Sequence, residues 1–243
     1  MKRILLTGAQ GRIGWTVFDA CGTDYAFTLA DIAEPTEPVA LPHRAVRVDL
    51  SQPGAAADLV RDADAVVHLA GVPDPGAGFD ALLPANILAT THLLAAAHAA
   101  GVRRFVFASS AQTIEGYPVD RQVVPGMAVA PANLYGVTKC YGEALCSYYA
   151  TQEGMTCVAL RIGAFEPVEE HALETARDLS AWLSPRDAVH LIIRAVEAEV
   201  DGFFVAHGIS DNRFKRLDLT ETKRVLGYAP QDDAFATFDI PVR

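Results

Sequence analysis

An apolar run at residues 3–7 empties straight into Gly8-Ala9-Gln10-Gly11-Arg12-Ile13-Gly14, and an amphipathic stretch begins at residue 13. Three glycines, each three residues from the next, between a strand and a helix leave few folds open. Gly8 allows a tight turn, Gly11 lets the backbone approach a pyrophosphate, and Gly14 lets the helix pack closely on the strand. The helix would then aim its free N–H groups and the positive end of its dipole at the phosphates. The glycines alone are a weak signal; their position after a strand and before a helix gives them weight. Arg12 and Ile13 lie inside the same turn, where they would meet a bound dinucleotide.

The rhythm continues. Apolar runs at 25–30, 45–49, 65–70, 104–108 and 156–162 read as further strands, and 13–21, 55–61, 79–100 and 134–153 as the helices between them. Strands covered on both faces can be apolar throughout. Six such strands with crossover helices predict an α/β protein with a Rossmann-type doubly wound parallel sheet. Beyond residue 162 the alternation lapses. Residues 163–176 are acidic and irregular, 185–200 read as an amphipathic helix, 202–206 as a short strand, and 217–226 as a last helix stopped at Gly227. At 243 residues a single domain, 1–243, is expected, with 163–243 mostly a small substrate-facing lobe within it.

Thirty acidic against twenty basic residues give a net charge of −10, with no basic run to offset it. That balance opposes partnership with nucleic acid or an anionic membrane surface. Four scattered cysteines form no C-x-x-C pair and no metal spacing with the histidines. Free thiols, a reducing cytoplasmic setting and no metal are therefore expected. The N-terminus carries too short an apolar run for a signal peptide, and no stretch reads as long enough to span a membrane. A small-molecule substrate is the partner this leaves.

Asp31 closes the second strand, 17 residues after Gly14, near the usual interval for an acid that holds the adenosine ribose. Its carboxylate can accept from both ribose hydroxyls and would repel a 2′-phosphate, and Ile32 and Ala33 offer that phosphate no cation. NAD is the cofactor this favours; Arg12, in the glycine turn, works against the preference. A helix or turn cap is the alternative for Asp31, and its strand-end position weighs against that. Asp49 and Leu50, ending the third strand, are placed to flank the adenine. Leu69, Ala70 and Gly71, ending the fourth, let the backbone pass the cofactor.

The fifth strand delivers Ser109 and Ser110 at its C-terminal end, and Tyr135 and Lys139 follow four residues apart at the start of a helix, on one face. Seven tyrosines and four lysines in a chain this long give only about 0.1 accidental Tyr-x-x-x-Lys pairs. The chemistry explains the set. Oxidising an alcohol needs a base for the hydroxyl proton as the hydride leaves. A free phenol has a pKa near 10, so about 0.1% is ionised at neutral pH, and lowering it by two or three units needs about 3–4 kcal/mol of preferential phenolate stabilisation. A neighbouring Lys139 ammonium and a positively charged nicotinamide supply opposite charge of that kind. Ser110 would hydrogen-bond the reacting oxygen.

Thr-Gly-x-x-Gly-x-x-Gly, His-Leu-Ala-Gly, Phe-Ala-Ser-Ser and Leu-Tyr-Gly-Val-Thr-Lys together resemble the extended short-chain dehydrogenase/reductase superfamily, which includes the NAD-dependent epimerases and dehydratases. Within it, residues 107–114, 134–143, 161–163 and 179–182 look like those of the uronate dehydrogenases. The resemblance implies that Ser110, Tyr135 and Lys139 are catalytic, that Lys139 also holds the nicotinamide ribose, and that Ile162 touches the nicotinamide. It also implies that Arg177 grips a substrate carboxylate, a task suited to a forked guanidinium. A surface charge paired with Glu174 or Asp178 is the rival reading. The helices at 79–100 and 134–153 would, on the same resemblance, build a homodimer or larger homo-oligomer.

The departures lie at the substrate end. Where the resemblance calls for Asn-His after the serine pair there is Ala111-Gln112; a serine expected after Arg-Ile-Gly is Ala164; and the Leu-Ala-Gly loop runs into Val72-Pro73. Substrate contacts at Ser110, Ala111, Gln112, Tyr135, Ala164 and Arg177 thus describe a more apolar site, suited to a less hydroxylated ligand. The expected activity is oxidation of a sugar acid, or of a related hydroxy compound. An epimerase or dehydratase that retains its NAD, and a nucleotide sensor without chemistry, are the alternatives. His171, in the acidic segment, reads as an exposed loop residue or a second acid or base; His68 reads as a satisfied core residue, and Met127 and Trp182 as packing.

Overall fold

The computed structural model describes residues 1–35, 38–170, 173 and 175–240. Seven parallel strands form its centre: β1 (Arg3–Thr7), β2 (Ala26–Asp31), β3 (Arg44–Arg47), β4 (Ala65–His68), β5 (Arg104–Ser110), β6 (Thr156–Ile162) and, further along the chain, β9 (Phe203–Gly208). Their order is β3-β2-β1-β4-β5-β6-β9, with every neighbouring pair parallel. The order reverses between β1 and β4, which places a crevice at the carboxyl ends of those strands.

Alternation along each strand divides the interior in two. Ile4, Leu6, Phe27, Leu29, Val67, Val106 and Val158 point to one face, where α1 (Arg12–Cys21) and α7 (Pro185–Glu197) cover them with Val17, Leu191, Ile192 and Ala195. Leu5, Ala30, Val66, Phe105, Phe107 and Ala159 point to the other, under α2 (Ala57–Val60), α4 (Ala89–Ala99) and α5 (Leu134–Thr151). Apolar runs without alternation are therefore what both faces require.

Three differences from the sequence expectation have physical causes. The helix expected at 79–100 comprises α3 (Phe79–Leu82), a π-helical stretch Leu83–Leu88 and then α4. Pro84 cannot donate into the ladder, and the backbone widens so that Ala89 N–H reaches the Pro84 carbonyl. This whole run, 79–99, is also long and apolar enough by length and composition to cross a membrane, contrary to the sequence reading; here Leu82, Leu93, Leu94 and Ala97 are buried in the core. Second, α7 and β9 continue the β-α alternation and extend the sheet to seven strands. The C-terminal lobe is correspondingly smaller: a two-stranded ribbon of β7 (Ala164–Phe165) and β8 (Trp182–Leu183), with α6 (Ala176–Ala181), α8 (Thr220–Leu226) and α9 (Ala234–Thr237). Third, the last long helix starts at Thr220 rather than 217, because Leu217 bridges to Val123 and the Asp218 carboxylate caps the Thr220 N–H at 3.0 Å. Gly227 ends α8 at φ 66°, donating to the Lys223 carbonyl.

Candidate active site

At the carboxyl edge of the sheet lies a crevice of about 890 Å³. Every position assigned from the sequence is on its wall: Gly8, Gly11, Arg12, Ile13, Gly14, Asp31, Asp49, Leu50, Leu69, Ala70, Gly71, Ser110, Ala111, Gln112, Tyr135, Lys139, Ile162, Ala164 and Arg177. Residues not singled out beforehand also line it, among them Pro75, Ala85 and Phe165. His171 and Glu174 lie outside the described residues.

The glycine turn is as tight as its spacing requires. Gly8 sits at φ 71°, and a Cβ there would fall 2.6 Å from the Ala70 nitrogen; one on Gly14 would fall 2.3 Å from the Gly8 carbonyl oxygen. Gly11 begins α1 without a side-chain cap, so the first N–H groups of the helix remain for a ligand. Asp31 accepts from Gln10 N–H at 2.8 Å and from Ala33 N–H at 3.0 Å, which fixes its carboxylate at the rim. It is thus a turn cap as well as a crevice residue. Asp49 spends its carboxylate on Ser51 and Gln52, and those hydrogen bonds, the Ser51 hydroxyl first, hold it below the usual carboxylate range.

Around the chemical end, β5 and α5 meet. Asn133 caps α5 by accepting from Gly136 N–H at 2.7 Å, and its amide donates to the Gln112 side chain at 2.7 Å. This cap presents Tyr135 and Lys139 to the crevice one turn apart. Lys139 Nζ donates to the Ala108 carbonyl at 2.8 Å and stands 5.6 Å from the centre of the Tyr135 ring. Burial lowers the Lys139 ammonium to about 8. Burial also pushes the Tyr135 phenol up, against the lowering effect of its hydrogen bond with Ser110. The sequence reading assigns the acidification to the Lys139 ammonium and a positively charged nicotinamide together. In the protein by itself desolvation of the phenolate wins, so acidification has to come with added positive charge at the site.

Asn86, which motif reading passed over, staples this end together. From the π-helical stretch it accepts from Val72 N–H at 2.7 Å and donates to Thr138 Oγ1 at 3.0 Å and to the Val72 carbonyl at 3.2 Å. A buried amide inside an apolar helical run is the signal that could have found it. Beneath the serines, Arg161 and Glu143 form a buried bidentate pair at 2.9 and 2.8 Å, and Ser109 donates to the same carboxylate at 2.6 Å. Arg177 lines the crevice, and its guanidinium is engaged: Nε and Nη2 donate to Glu115 at 3.0 and 2.5 Å, and Nη1 to Asp178 at 3.3 Å. Burial works to lower it, and Glu115 and Asp178 together raise it. Arg12, on the crevice wall, pairs with Glu166 at 3.1 Å and Glu170 at 2.6 Å.

His68 is fully buried between Thr7 Oγ1 at 2.7 Å and Thr90 Oγ1 at 3.0 Å, as a core residue should be. Trp182 is likewise buried, its indole donating to the Glu166 carbonyl, and Met127 packs on the core. Burial, with a contribution from Lys139, lowers His68 from 6.5 to about 3. The unfolded chain therefore binds a proton that the fold refuses: the stabilisation is complete above pH 6.5 and is lost as pH falls toward 3. Within that window each pH unit is expected to remove about 1.4 kcal/mol of stability on this residue's account. Urea midpoints of wild type and His68→Gln across this range check it; the variant's slope should flatten by about one proton, while His207, lowered to about 4, keeps its share. Parallel slopes would remove His68 from the acid response.

A glycine turn at the switch point of a parallel sheet, facing a buried Ser-Tyr-Lys constellation, is the architecture of a Rossmann-type short-chain dehydrogenase/reductase. A family model for the NAD-dependent epimerase/dehydratase family matches residues 4–184, and the chain belongs to that family. It is 36% identical to the uronate dehydrogenase of Pseudomonas putida, over 96% of this chain and 85% of the relative. It is 34% identical to the NAD-dependent glucose-6-phosphate dehydrogenase of Haloferax volcanii, over 95% and 94%. Among solved structures, a tyrosine-to-alanine variant of the Agrobacterium tumefaciens uronate dehydrogenase complexed with NAD superposes with a TM-score of 0.89 at 34% identity, covering 98% of this chain and 88% of that one.

Proposed function

We propose that this chain is an NAD-dependent dehydrogenase that oxidises a hydroxyl of a sugar acid or a related hydroxy compound. The observation that carries the reading is the convergence of Ser110, Tyr135 and Lys139 on the crevice wall that also holds the glycine turn and Asp31. That wall fits a dinucleotide: the turn has no room for a Cβ at Gly8 or Gly14, and the mouth of α1 offers uncapped N–H groups. Asp31 would hold the adenosine ribose, the turn the phosphates, and Lys139 the second ribose. NAD, when bound, supplies the hydride acceptor.

The chain's own part is proton transfer. Tyr135 accepts the substrate's hydroxyl proton and Ser110 holds the reacting oxygen by a hydrogen bond. Lys139, beside the phenol ring, favours the phenolate. For a uronate, the carbon oxidised would be the anomeric one and the product an aldarolactone. The reading brings with it a homo-oligomer and a cytoplasmic location. An NAD-retaining epimerase would use the same base, but the small C-terminal lobe offers less wall for a nucleotide-linked sugar.

Incubating the protein with NAD and a panel of uronates, aldoses and other hydroxy compounds tests the proposal. Stoichiometric NADH with one class supports it; retained cofactor with no net NADH would move the chain to the epimerases. Preference for NAD over NADP has its own support. Arg12, in the glycine turn, is paired through Nη2 with Glu166 and Glu170, and Arg47, opposite Asp31 in the sheet, with Glu34 and the Ile32 carbonyl. Asp31→Ser is expected to raise kcat/KM with NADP by about tenfold or more while weakening NAD, since removing an unfavourable charge favours the rejected ligand. An unchanged cofactor ratio would dismiss Asp31 as the selector.

A further inference from the structure

Glu115 belongs to none of the motifs and does not itself line the crevice, yet it is paired with Arg177, which does. A guanidinium has two edges on which a carboxylate can sit bidentate. On Arg177 the Nε/Nη2 edge is filled by Glu115, and Nη1 is engaged by Asp178. The Arg177–Glu115 pair is itself about four-fifths buried, with side chains 19% and 18% exposed. Among the described residues, the other cations on the crevice wall also have partners. Lys139 is bonded to the Ala108 carbonyl, and Arg12 to two glutamates. Arg216, whose charge is felt by Glu115 and Arg177, is tied to the carbonyls of Tyr117, Pro118 and Arg121 and does not line the crevice.

An anionic substrate entering here would meet an arginine already neutralised, with Glu115 and Asp178 close behind it. Either Glu115 must be displaced from a largely buried pair, or two like charges must share one guanidinium. Both outcomes disfavour the anion. A neutral hydroxyl faces no such conflict, because the pair can still donate and accept hydrogen bonds at its rim. Pro73, Ala111 and Ala164 on the same wall add no charge.

We infer that Glu115 is a specificity-determining residue which turns the carboxylate subsite into a neutral one, so that the preferred substrate is an uncharged sugar or polyol rather than a uronate or a sugar phosphate. This rests on the dehydrogenase reading and narrows it. The reaction is the same: the C–H hydride passes to NAD, which is reduced, and the O–H proton passes to Tyr135, leaving a lactone from a cyclic sugar.

The test is a kcat/KM comparison of the full-length protein with NAD on two matched sets, glucose, galactose and arabinose against glucuronate and galacturonate. Wild type should favour the neutral set by about tenfold or more, and Glu115→Gln should shift the ratio toward the uronates by a similar factor, through their KM. A wild type that favours uronates would overturn the inference while leaving the dehydrogenase reading intact. So would a Glu115→Gln protein that loses uronate turnover, which would make Glu115 a buttress for Arg177. NADH from neither set would bring down the dehydrogenase reading and this inference with it. If Glu115→Gln fails to fold, the wild-type ratio alone decides.

Discussion

Replacing Tyr135 by phenylalanine is expected to lower turnover by about 10²–10⁴-fold, the usual worth of a positioned proton acceptor. The ring is 7% exposed and packed at the head of α5, so phenylalanine can occupy the same space and lose only the hydroxyl. Coenzyme affinity should stay within a few-fold, because the glycine turn and Asp31 are elsewhere on the wall. NADH formation under saturating substrate, beside a fluorescence titration with NAD, separates the two effects. Undiminished turnover would take the phenol out of the chemistry. A joint collapse of turnover and affinity would mean that the hydroxyl shapes the site instead.

The second large effect concerns stability. Arg161 and Glu143 are 4% and 8% exposed, and each is the other's main neutralising charge. Removing one partner strands the other in the interior, which typically costs about 3–5 kcal/mol. For a chain of this size Glu143→Leu or Arg161→Met should lower the melting temperature by roughly 6–20 °C. The double variant should melt above the Arg161→Met protein, because no orphan charge remains. Calorimetry on the three proteins checks the ranking. Single variants melting within about 2 °C of wild type would show that water or a rearranged neighbour compensates the lost charge.

What the sequence made legible is mostly what local pattern controls. β1 and β6 fall where their apolar runs end, and Gly227 stops α8, because each boundary is written in neighbouring residues. The crevice residues share one wall because strand ends and helix starts in a parallel sheet all open to the same edge. What escaped depends on partners far apart in the chain. Glu115 and Arg177 are 62 residues apart, and no spacing rule links them. Asn86 is legible only once Pro84 has widened the helix and turned the amide toward Val72 and Thr138. The burial that raises the Tyr135 phenol is a further case: a nearby ammonium can be read from Tyr-x-x-x-Lys, whereas the dryness around the phenol comes from the packed fold.

The crevice is made at a join. One wall comes from the turns after β1, β2, β3 and β4; the other comes from the segments that follow β5 and β6 and from the first turn of α6. The framework that fixes the first wall lies in the buried ladder, while Ala111, Gln112, Glu115, Ala164 and Arg177 sit on short pieces beyond it. Selection could therefore rewrite what is oxidised by changing a handful of codons without disturbing how the coenzyme is gripped, and a lineage with this architecture can drift among sugars while its redox half stays fixed.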